Sequence, residues 1–431
     1  MVRIALVSLL IILVGCSAGF YGKGRKLTEQ GQYDQAIKAF YEEIARYPQR
    51  AEAWRELGVA YYEKGDLLKA EDALKQANGM NPDSRTNLYL GLVYERQEMN
   101  DQAIAAYGAA LGLDPGGKTA NMIRAHLDQL IVRQMRGEVD QALQNEEAID
   151  VARIPDNTVA VVNFDDSHLS PEMAPLARGL AEFTAIDLAK VGALRVIDRL
   201  KIDMIIEELK LSASGAVDPA TAPRMGKLLG SKHLVGGAVM DIGESGLRLD
   251  GIIVNTSDSS SVMTDPAEGS LNRIFAVQKA FVFNVIEDLG VKLTTEERDA
   301  ISEVPTESYL AFLAYSRGLD YQQRGFYRDA QASFHQAVQH DQNFGAAENK
   351  AVSLDASLTL GPDYSLSQFE SSVALTAEAP QPTSGLDSRL RRIGGHTGMP
   401  EFGIQRPANA PPGFGQTATV LIRVNLNVDM D

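Results

Sequence analysis

Three prolines, Pro48, Pro82 and Pro115, recur at almost even spacing, and the residues between them recur in step. The middle interval carries Trp54, Leu57, Gly58, Tyr61, Gly65, Ala70, Leu74, Ala77 and Pro82. The interval before it carries Phe20, Gly24, Leu27, Gly31, Tyr33, Ala36, Phe40 and Pro48, and the one after it Leu90, Gly91, Tyr94, Ala103, Tyr107, Ala110 and Pro115. A period of this length constrains the fold more than any single motif, because so short a unit cannot bury its own apolar face and must stack on a neighbour. Each unit predicts a pair of helices. Small residues at Gly58 and Ala70 let the pair approach, while Trp54, Tyr61 and Leu74 fill the space between.

This spacing resembles the tetratricopeptide repeat (TPR). The resemblance implies an α-solenoid of three repeats over 16–118, whose concave face holds an extended peptide or a partner helix. Its signature residues are Trp54, Leu57, Gly58, Tyr61, Ala70, Pro82, Gly91, Tyr94, Ala103 and Pro115. A stack needs a cap. The segment 119–150 supplies one, with Leu127, Leu130, Ile131, Met135 and Val139 on one side of a helix. The spacing returns within 306–357 at Gly318, Tyr321, Gly325, Tyr327, Ala330, Phe334 and Ala337, with Gln342 where proline would stand. A lone unit must dock on the central region or on another subunit. A spacer that only holds the central region off a membrane is the competing role.

The start of the chain, 1–15, reads as a secretory signal. Arg3 is followed by an apolar run from Ile4 to Val14. That run is shorter than the ~20 residues a membrane-spanning helix requires. Leu13-Val14-Gly15-Cys16 resembles a bacterial lipobox and holds the only cysteine of the chain. The resemblance implies cleavage before Cys16 and acylation (palmitate-type chains) of its thiol and amine. Several acyl chains, at about 0.8 kcal/mol per inserted methylene, would anchor the protein durably. Ser17 resembles the pattern of lipoproteins passed on to the outer membrane, so the expected location is the periplasmic side of that membrane.

The middle of the chain alternates strands and helices. Val159 to Val162, running into Phe164, form an apolar run that predicts a buried strand. Ser170 and Pro171 suit the start of a helix carrying Met173, Leu176, Leu180 and Phe183. Leu194, Val196 and Ile197 predict a second strand, and Ile202, Ile205, Ile206 and Leu209 the next helix. After a short helix ending near Gly230 come extended pieces at Leu234–Met240 and Leu247–Asn255, turned by Gly243–Gly246, and a weaker one around Val262. A helix bearing Ile274, Val277, Phe281, Val285 and Leu289 closes the segment. This order predicts one α/β layer domain with a mixed sheet over 155–292. It resembles the CsgG-like family of bacterial envelope lipoproteins, itself akin to the N-terminal domain of TolB and to LpoB-type activators of peptidoglycan synthases. The resemblance implies a domain that can form homo-oligomers. The strand at 247–255 holds Gly251-Ile252-Ile253-Val254 without alternation, so it reads as core sheet, and the channel activity of the curli secretion pore is not carried over.

Thr294 to Glu297 read as a capping box before Pro305 breaks the chain. From 358 to 416 composition turns Pro-, Gly- and Ser-rich, with Pro380, Pro382, Pro400, Pro407, Pro411 and Pro412, which predicts a disordered linker. Within 417–428, Val420, Ile422, Val424, Leu426 and Val428 alternate as a terminal β-strand that must pair with a sheet edge, here or in another molecule.

No catalytic motif survives inspection. A net charge of -16 speaks against a nucleic-acid partner. Gly112 to Thr119 fits the letters of a phosphate-binding P-loop, but it follows a repeat helix rather than a buried strand. The histidines are scattered, and His335 and His340 are five apart, a poor fit to one helix face. Asp165-Asp166, at the end of the first strand, reads as turn and cap, and Glu207-Glu208 as a solvated face. The expectation is a non-enzymatic outer-membrane lipoprotein, without catalytic residues, metal or cofactor, that binds protein partners through TPR grooves in curli-type envelope assembly or secretion. The alternative is an LpoB-like regulator docking on a peptidoglycan synthase or another envelope enzyme.

Overall fold

The computed structural model describes residues 19–211, 218, 220–243, 245–360 and 365–378. Cys16 and the terminal strand expected within 417–428 lie outside them. The described residues divide into two compact units, 19–130 with 365–378, and 131–360.

The first unit is built of helix pairs: α1 (Phe20–Glu29) with α2 (Tyr33–Arg46), α3 (Ala51–Lys64) with α4 (Leu67–Met80), and α5 (Ser84–Arg96) with α6 (Asn100–Gly112). The helix α7 (Gly117–Gln144) follows, and the division between units falls within it. Each pair closes in the same way. A Cβ added at Gly24 would meet the Phe40 ring at 2.6 Å, one at Gly58 would meet Leu74 Cγ at 2.6 Å, and one at Gly91 would meet the Tyr107 ring at 2.4 Å. In each pair the large side chain, fully buried, stands sixteen positions after its glycine. Burying a side chain of that size contributes about 1.5–3 kcal/mol, so the glycine is kept despite its low helix propensity. Asp83 caps α5, accepting from Thr86 N at 3.0 Å while receiving Arg55 Nη1 at 3.1 Å. The buried Glu56 carboxylate takes both Arg55 and Arg85.

In the second unit lies a six-stranded sheet in the order β3-β1-β4-β5-β6, with β2 also pairing to β4. Its strands are β1 (Thr158–Val161), β2 (Asp165–His168), β3 (Arg195–Val196), β4 (His233–Asp241), β5 (Gly246–Asn255) and β6 (Ser261–Ser270). The pairings of β1, β2 and β3 are parallel, and β4, β5 and β6 form an antiparallel meander. Strand β1 is buried on both faces. Val159 and Val161 face a layer that includes α8 (Pro175–Leu188) and α11 (Ile274–Asp288). Ala160 and Val162 face α9 (Arg199–Leu209), α10 (Ala222–Leu229) and Val139 of α7. The two-residue period thus becomes three layers.

The repeat spacing after the sheet produces α13 (Tyr309–Gln323) and α14 (Tyr327–His340), preceded by α12 (Thr295–Ser302) and followed by α15 (Gly345–Leu360). A Cβ at Gly318 would meet the Phe334 ring at 2.5 Å, the glycine device again. This pair docks on the α/β core, and Phe312, Tyr315, Phe334 and Phe344 share one buried cluster with Phe183, Phe275 and Val161. The closest approach is at Gly179 of α8, where a Cβ would stand 2.0 Å from Ser316 Oγ. At the start of α12 the capping box forms, and the same Glu297 carboxylate also accepts Gly192 N at 2.7 Å.

Three local expectations are corrected. Helix α8 starts at Pro175 and not at Pro171, because Ser170 O accepts from Met173 N and Ala174 N at 2.9 and 2.8 Å and holds the intervening residues in a turn. The weak extension around Val262 is a full edge strand, Ser261–Ser270. Its alternation is broken by the register shift between Leu249 and Gly251, opposite which Asp265 and Pro266 fall. The linker expected over 358–416 contains the helix α16 (Leu366–Glu378). All six prolines that argued for a linker follow it.

The glycine device yields opposite signs at two sites. Gly91→Ala forces the Tyr107 ring aside and is expected to destabilise the first unit by about 1–3 kcal/mol. Gly79→Ala, on α4 with nothing within 4 Å of the new Cβ, should stabilise by up to about 1 kcal/mol. Urea melts followed by helical circular dichroism on both variants check the pair.

Candidate protein-interaction site

In the first unit, α16 is met by Tyr62 of α3, Arg96 of α5, Tyr107 of α6 and His126 of α7, with Tyr89 of α5 beside Tyr62. The Tyr62 and Tyr89 rings meet edge to face at 5.8 Å, and the Arg96 guanidinium lies 4.7 Å over the Tyr62 ring. Both are favourable ring geometries. Arg96 forks onto Glu370 of α16, Nε to Oε1 at 2.7 Å and Nη2 to Oε2 at 2.9 Å. The Tyr62 hydroxyl donates to the same carboxylate. One residue earlier, Phe369 is fully buried. Its ring stacks on the His126 imidazole at 4.0 Å and 10°, and meets the Tyr107 ring edge-on at 5.7 Å. Val373, one turn further, is also buried.

The slot for Phe369 is organised by the repeat helices themselves. Glu95 Oε2 accepts from the Tyr107 hydroxyl at 3.0 Å and from His126 Nε2 at 2.7 Å, so one carboxylate fixes both rings. Consecutive Glu95 and Arg96 on α5 thereby serve consecutive Phe369 and Glu370 on α16. This last helix has its own start signal, a reciprocal capping box. Ser365 N donates to Gln368 Oε1 at 2.7 Å, and Gln368 N to Ser365 Oγ at 3.3 Å.

Electrostatics follow from this geometry. Burial would raise the Glu370 carboxyl, but the bonds from Arg96 and Tyr62 hold it below the ordinary carboxylate range. The Glu370 hydrogen bond raises the Arg96 guanidinium, and burial together with the same carboxylate raises the Tyr62 phenol. Burial holds the neighbouring Glu63 carboxyl above its usual value despite Arg96.

The residues singled out in the sequence sit at the helix interfaces. Leu57, Gly58, Tyr61, Ala70, Gly91 and Ala103 are buried between paired helices, and the Tyr61 hydroxyl is 2.9 Å from that of Tyr41. Trp54 is half-buried and donates Nε1 to Pro48 O at 2.9 Å, tying its helix to the preceding turn. Tyr94 is half-buried under the Lys75 ammonium at 5.9 Å. Pro82 and Pro115 stand in the turns between pairs. In the second unit Gly318 and Ala330 are buried, and Tyr321 meets the Phe326 ring edge-on at 6.4 Å. Of the residues that touch α16, sequence reading had named Tyr107 alone, as a repeat residue. It missed Tyr62, Arg96 and His126, the Glu95 that orients the Tyr107 and His126 rings, and α16 itself, whose Leu366, Phe369 and Val373 fall at helical spacing behind the S-x-x-Q box.

In the second unit, the end of β1 is where open α/β sheets take ligands. Here two arginines meet internal acceptors. Arg199 donates to Val161 O at 2.8 Å and to Asn163, and pairs with Glu182 at 3.0 Å. Arg178 pairs with Asp203 at 2.5 Å. Burial lowers the Arg199 guanidinium, and Glu182 and Asp203 oppose that. Asp165-Asp166, read from the sequence as turn and cap residues, instead open β2, where Asp165 pairs with Ala238 of β4 and its carboxylate accepts from Ser167 N at 3.0 Å; burial with the Asp165 charge raises Asp166. The segment resembling a P-loop joins α6 to α7, without a strand. Among the described residues, no group of three or more His, Cys, Asp or Glu is placed to hold a metal ion.

Residues 21–85 and 85–116 match models of the tetratricopeptide repeat, and residues 134–251 match the curli production assembly/transport component CsgG. The chain carries tetratricopeptide repeats and a CsgG domain. Photosystem I assembly protein Ycf3 of Prochlorococcus marinus (strain NATL1A) is 29% identical over 117 residues, 23% of this chain and 67% of its own. Putative adenylate cyclase 3 of Rhizobium meliloti (strain 1021) is 26% identical over 157 residues, 35% of this chain, which spans only 24% of that relative. Among solved structures, the LpoB C-terminal domain from Salmonella enterica aligns over 32% of this chain and 93% of its own at 16% identity and a TM-score of 0.21. A tetratricopeptide repeat protein from Parabacteroides merdae ATCC 43184 aligns over 78% and 97% at 13% identity and a TM-score of 0.24. The repeats imply protein–protein interaction, and their combination with a CsgG domain suggests that role in envelope assembly.

Acid should unseat α16. Glu370 lies below its free value of 4.5 in the seated helix, so its contribution is complete above that pH and is lost as pH falls through the lowered value. Glu63, held high, discharges first, leaving Arg96 to Glu370 alone; Tyr62, Tyr107, Glu95 and His126 complete the surroundings. Hydrogen exchange of 366–378, corrected for intrinsic rates, should accelerate in the native chain as pH falls below the free carboxyl value of 4.5. Glu370→Gln should exchange faster at neutral pH and lose that dependence.

Proposed function

We propose that this protein is a non-enzymatic lipoprotein, anchored through Cys16 in the outer membrane and facing the periplasm, that holds a helical segment of a partner polypeptide on its TPR face during envelope assembly or secretion. One observation carries this reading: the repeat helices and the helix α7 that follows them already hold a polypeptide helix, α16, through an aromatic slot and an arginine fork. The CsgG domain supplies a folded platform whose exposed surfaces could bring copies together. Its meander supports a role without a pore of its own, since Leu247, Leu249 and Ile253 of β5 are buried against Val277 and Phe281. The matched charges at the end of β1 support a structural rather than a catalytic reading of that crevice.

Two measurements test the proposal. Cys16→Ala should move the protein from the membrane pellet to the soluble periplasmic fraction, and retention in the pellet counts against the anchor. A photo-crosslinker at position 63, beside the Arg96–Glu370 pair, should give adducts with a partner protein in living cells, and one at position 105, exposed on the second helix α6, should not. Absence of adducts at position 63, both in the native chain and in Phe369→Ala/Glu370→Arg, overturns the reading.

A further inference from the structure

Resting on that protein-binding reading, we propose that the TPR face is a selective site for a helix presenting adjacent Phe and Glu with Val one turn on, and that α16 fills it in cis as a built-in competitor. The partner is then an amphipathic helix of another protein with the same three-residue face.

The selectivity follows from what each side chain meets. Phe369 enters a slot walled by the His126 ring on its face and the Tyr107 ring on its edge. Both walls are held by Glu95 through bonds in which α16 takes no part, so the slot is organised ahead of its occupant. The adjacent position must carry a carboxylate, because Arg96 presents two parallel donors 2.7 and 2.9 Å from its oxygens and Tyr62 adds a third. Val373 comes back to the same face one turn later, and its burial sets the axis of the helix. Ser367, Gln368 and Ser371 of α16 are exposed, so the occupant is read through one narrow face.

Occupancy in cis follows from connectivity. The helix α16 belongs to the same chain and the same compact unit as the repeats, so it competes at the high effective concentration of a tethered ligand. With a tether giving millimolar effective concentration, a free helix of about 10 μM intrinsic affinity would bind about 100-fold more weakly to the native chain than to one whose own helix is disabled. The protein would thus be closed until a partner with a better-matched face displaces α16.

The test uses a fluorescein-labelled peptide with the sequence of residues 363–378 and fluorescence anisotropy on the full mature chain. Phe369→Ala/Glu370→Arg should bind the peptide at least ten-fold more tightly than the native chain. Adding Arg96→Glu to a Phe369→Ala/Glu370→Ala chain, which leaves no arginine on α16 to pair with it, should abolish that binding, and a peptide carrying Glu370→Arg should restore it. Equal binding by native and displaced chains, or none by a displaced chain of unchanged helical circular dichroism, overturns the proposal. Should the double variant fail to fold, the native chain still decides. Excess unlabelled peptide should accelerate hydrogen exchange within 366–378, and unchanged exchange overturns cis occupancy. A native chain that runs as a dimer and halves in mass on adding peptide places the helix in a second copy and likewise overturns it. In cells, adducts at position 63 that are equal in native and displaced chains preserve the protein-binding reading and sink this one, whereas a rise in the displaced chain supports both.

Discussion

Within each repeat pair two helices approach more closely than ordinary side chains allow, because a glycine on the first faces a large ring or branched chain on the second. The consequence runs further than packing. Tyr107 can lie across α5 only because Gly91 has no Cβ. Lying there, its hydroxyl reaches Glu95, one turn beyond the glycine. Glu95 in turn orients His126, and the two rings define the slot that takes Phe369. A backbone requirement at one position is thereby converted, through two hydrogen bonds, into the shape of a binding surface on another helix.

How much of this could be read from the chain depends on whether the relevant signal is local. The repeat period was legible because each unit repeats the same steric solution, and Gly58, Gly91 and Gly318 all meet the side chain sixteen positions on. The strand β1 was legible because burial on both faces leaves an unbroken apolar run. The edge strand β6 was not, since one face is in solvent and Asp265-Pro266 interrupts the ladder, so no period survives. The binding side chains were illegible for another reason: Tyr62, Arg96 and His126 look outward from their own pair, and an outward tyrosine or arginine reads as solvated surface until its partner is known. Helix α16 did carry a local signal in Ser365, Gln368, Leu366, Phe369 and Val373, but the prolines downstream dominated the composition of the stretch.

The second unit answers the same problem of close approach with polar partners inside the core. Gly179 admits α13 against α8, and the rings of Phe183, Phe275, Phe312 and Phe344 interlock across that crossing. Nearby, buried Asp187 accepts from Lys279 at 2.6 Å, Gln278 at 2.9 Å and Lys190 at 2.8 Å. Burial lowers the Lys279 ammonium while Asp187 opposes it, as expected when a charge leaves water for a single close partner. With Arg178 and Arg199 matched in the same manner, the polar groups of this core fix the register of the helices that cover the sheet. They explain why the last helix pair packs as part of the α/β body.

A short helix rich in serine, such as α16, has little stability in water by itself, since nucleating a helix is costly and short ones are marginal. The capping box of α16 satisfies only its first turn. The rest of its order must come from contact, chiefly Phe369, Val373 and the Arg96–Glu370 fork, so for this segment being helical and being seated are nearly one event. Any rival helix that is already ordered before it arrives avoids that cost, because α16 must be ordered anew each time it returns. Displacement of the internal occupant then depends less on making additional contacts than on rigidity. A partner with the same three-residue face, presented on a longer or better-supported helix, would win the groove while touching the same side chains.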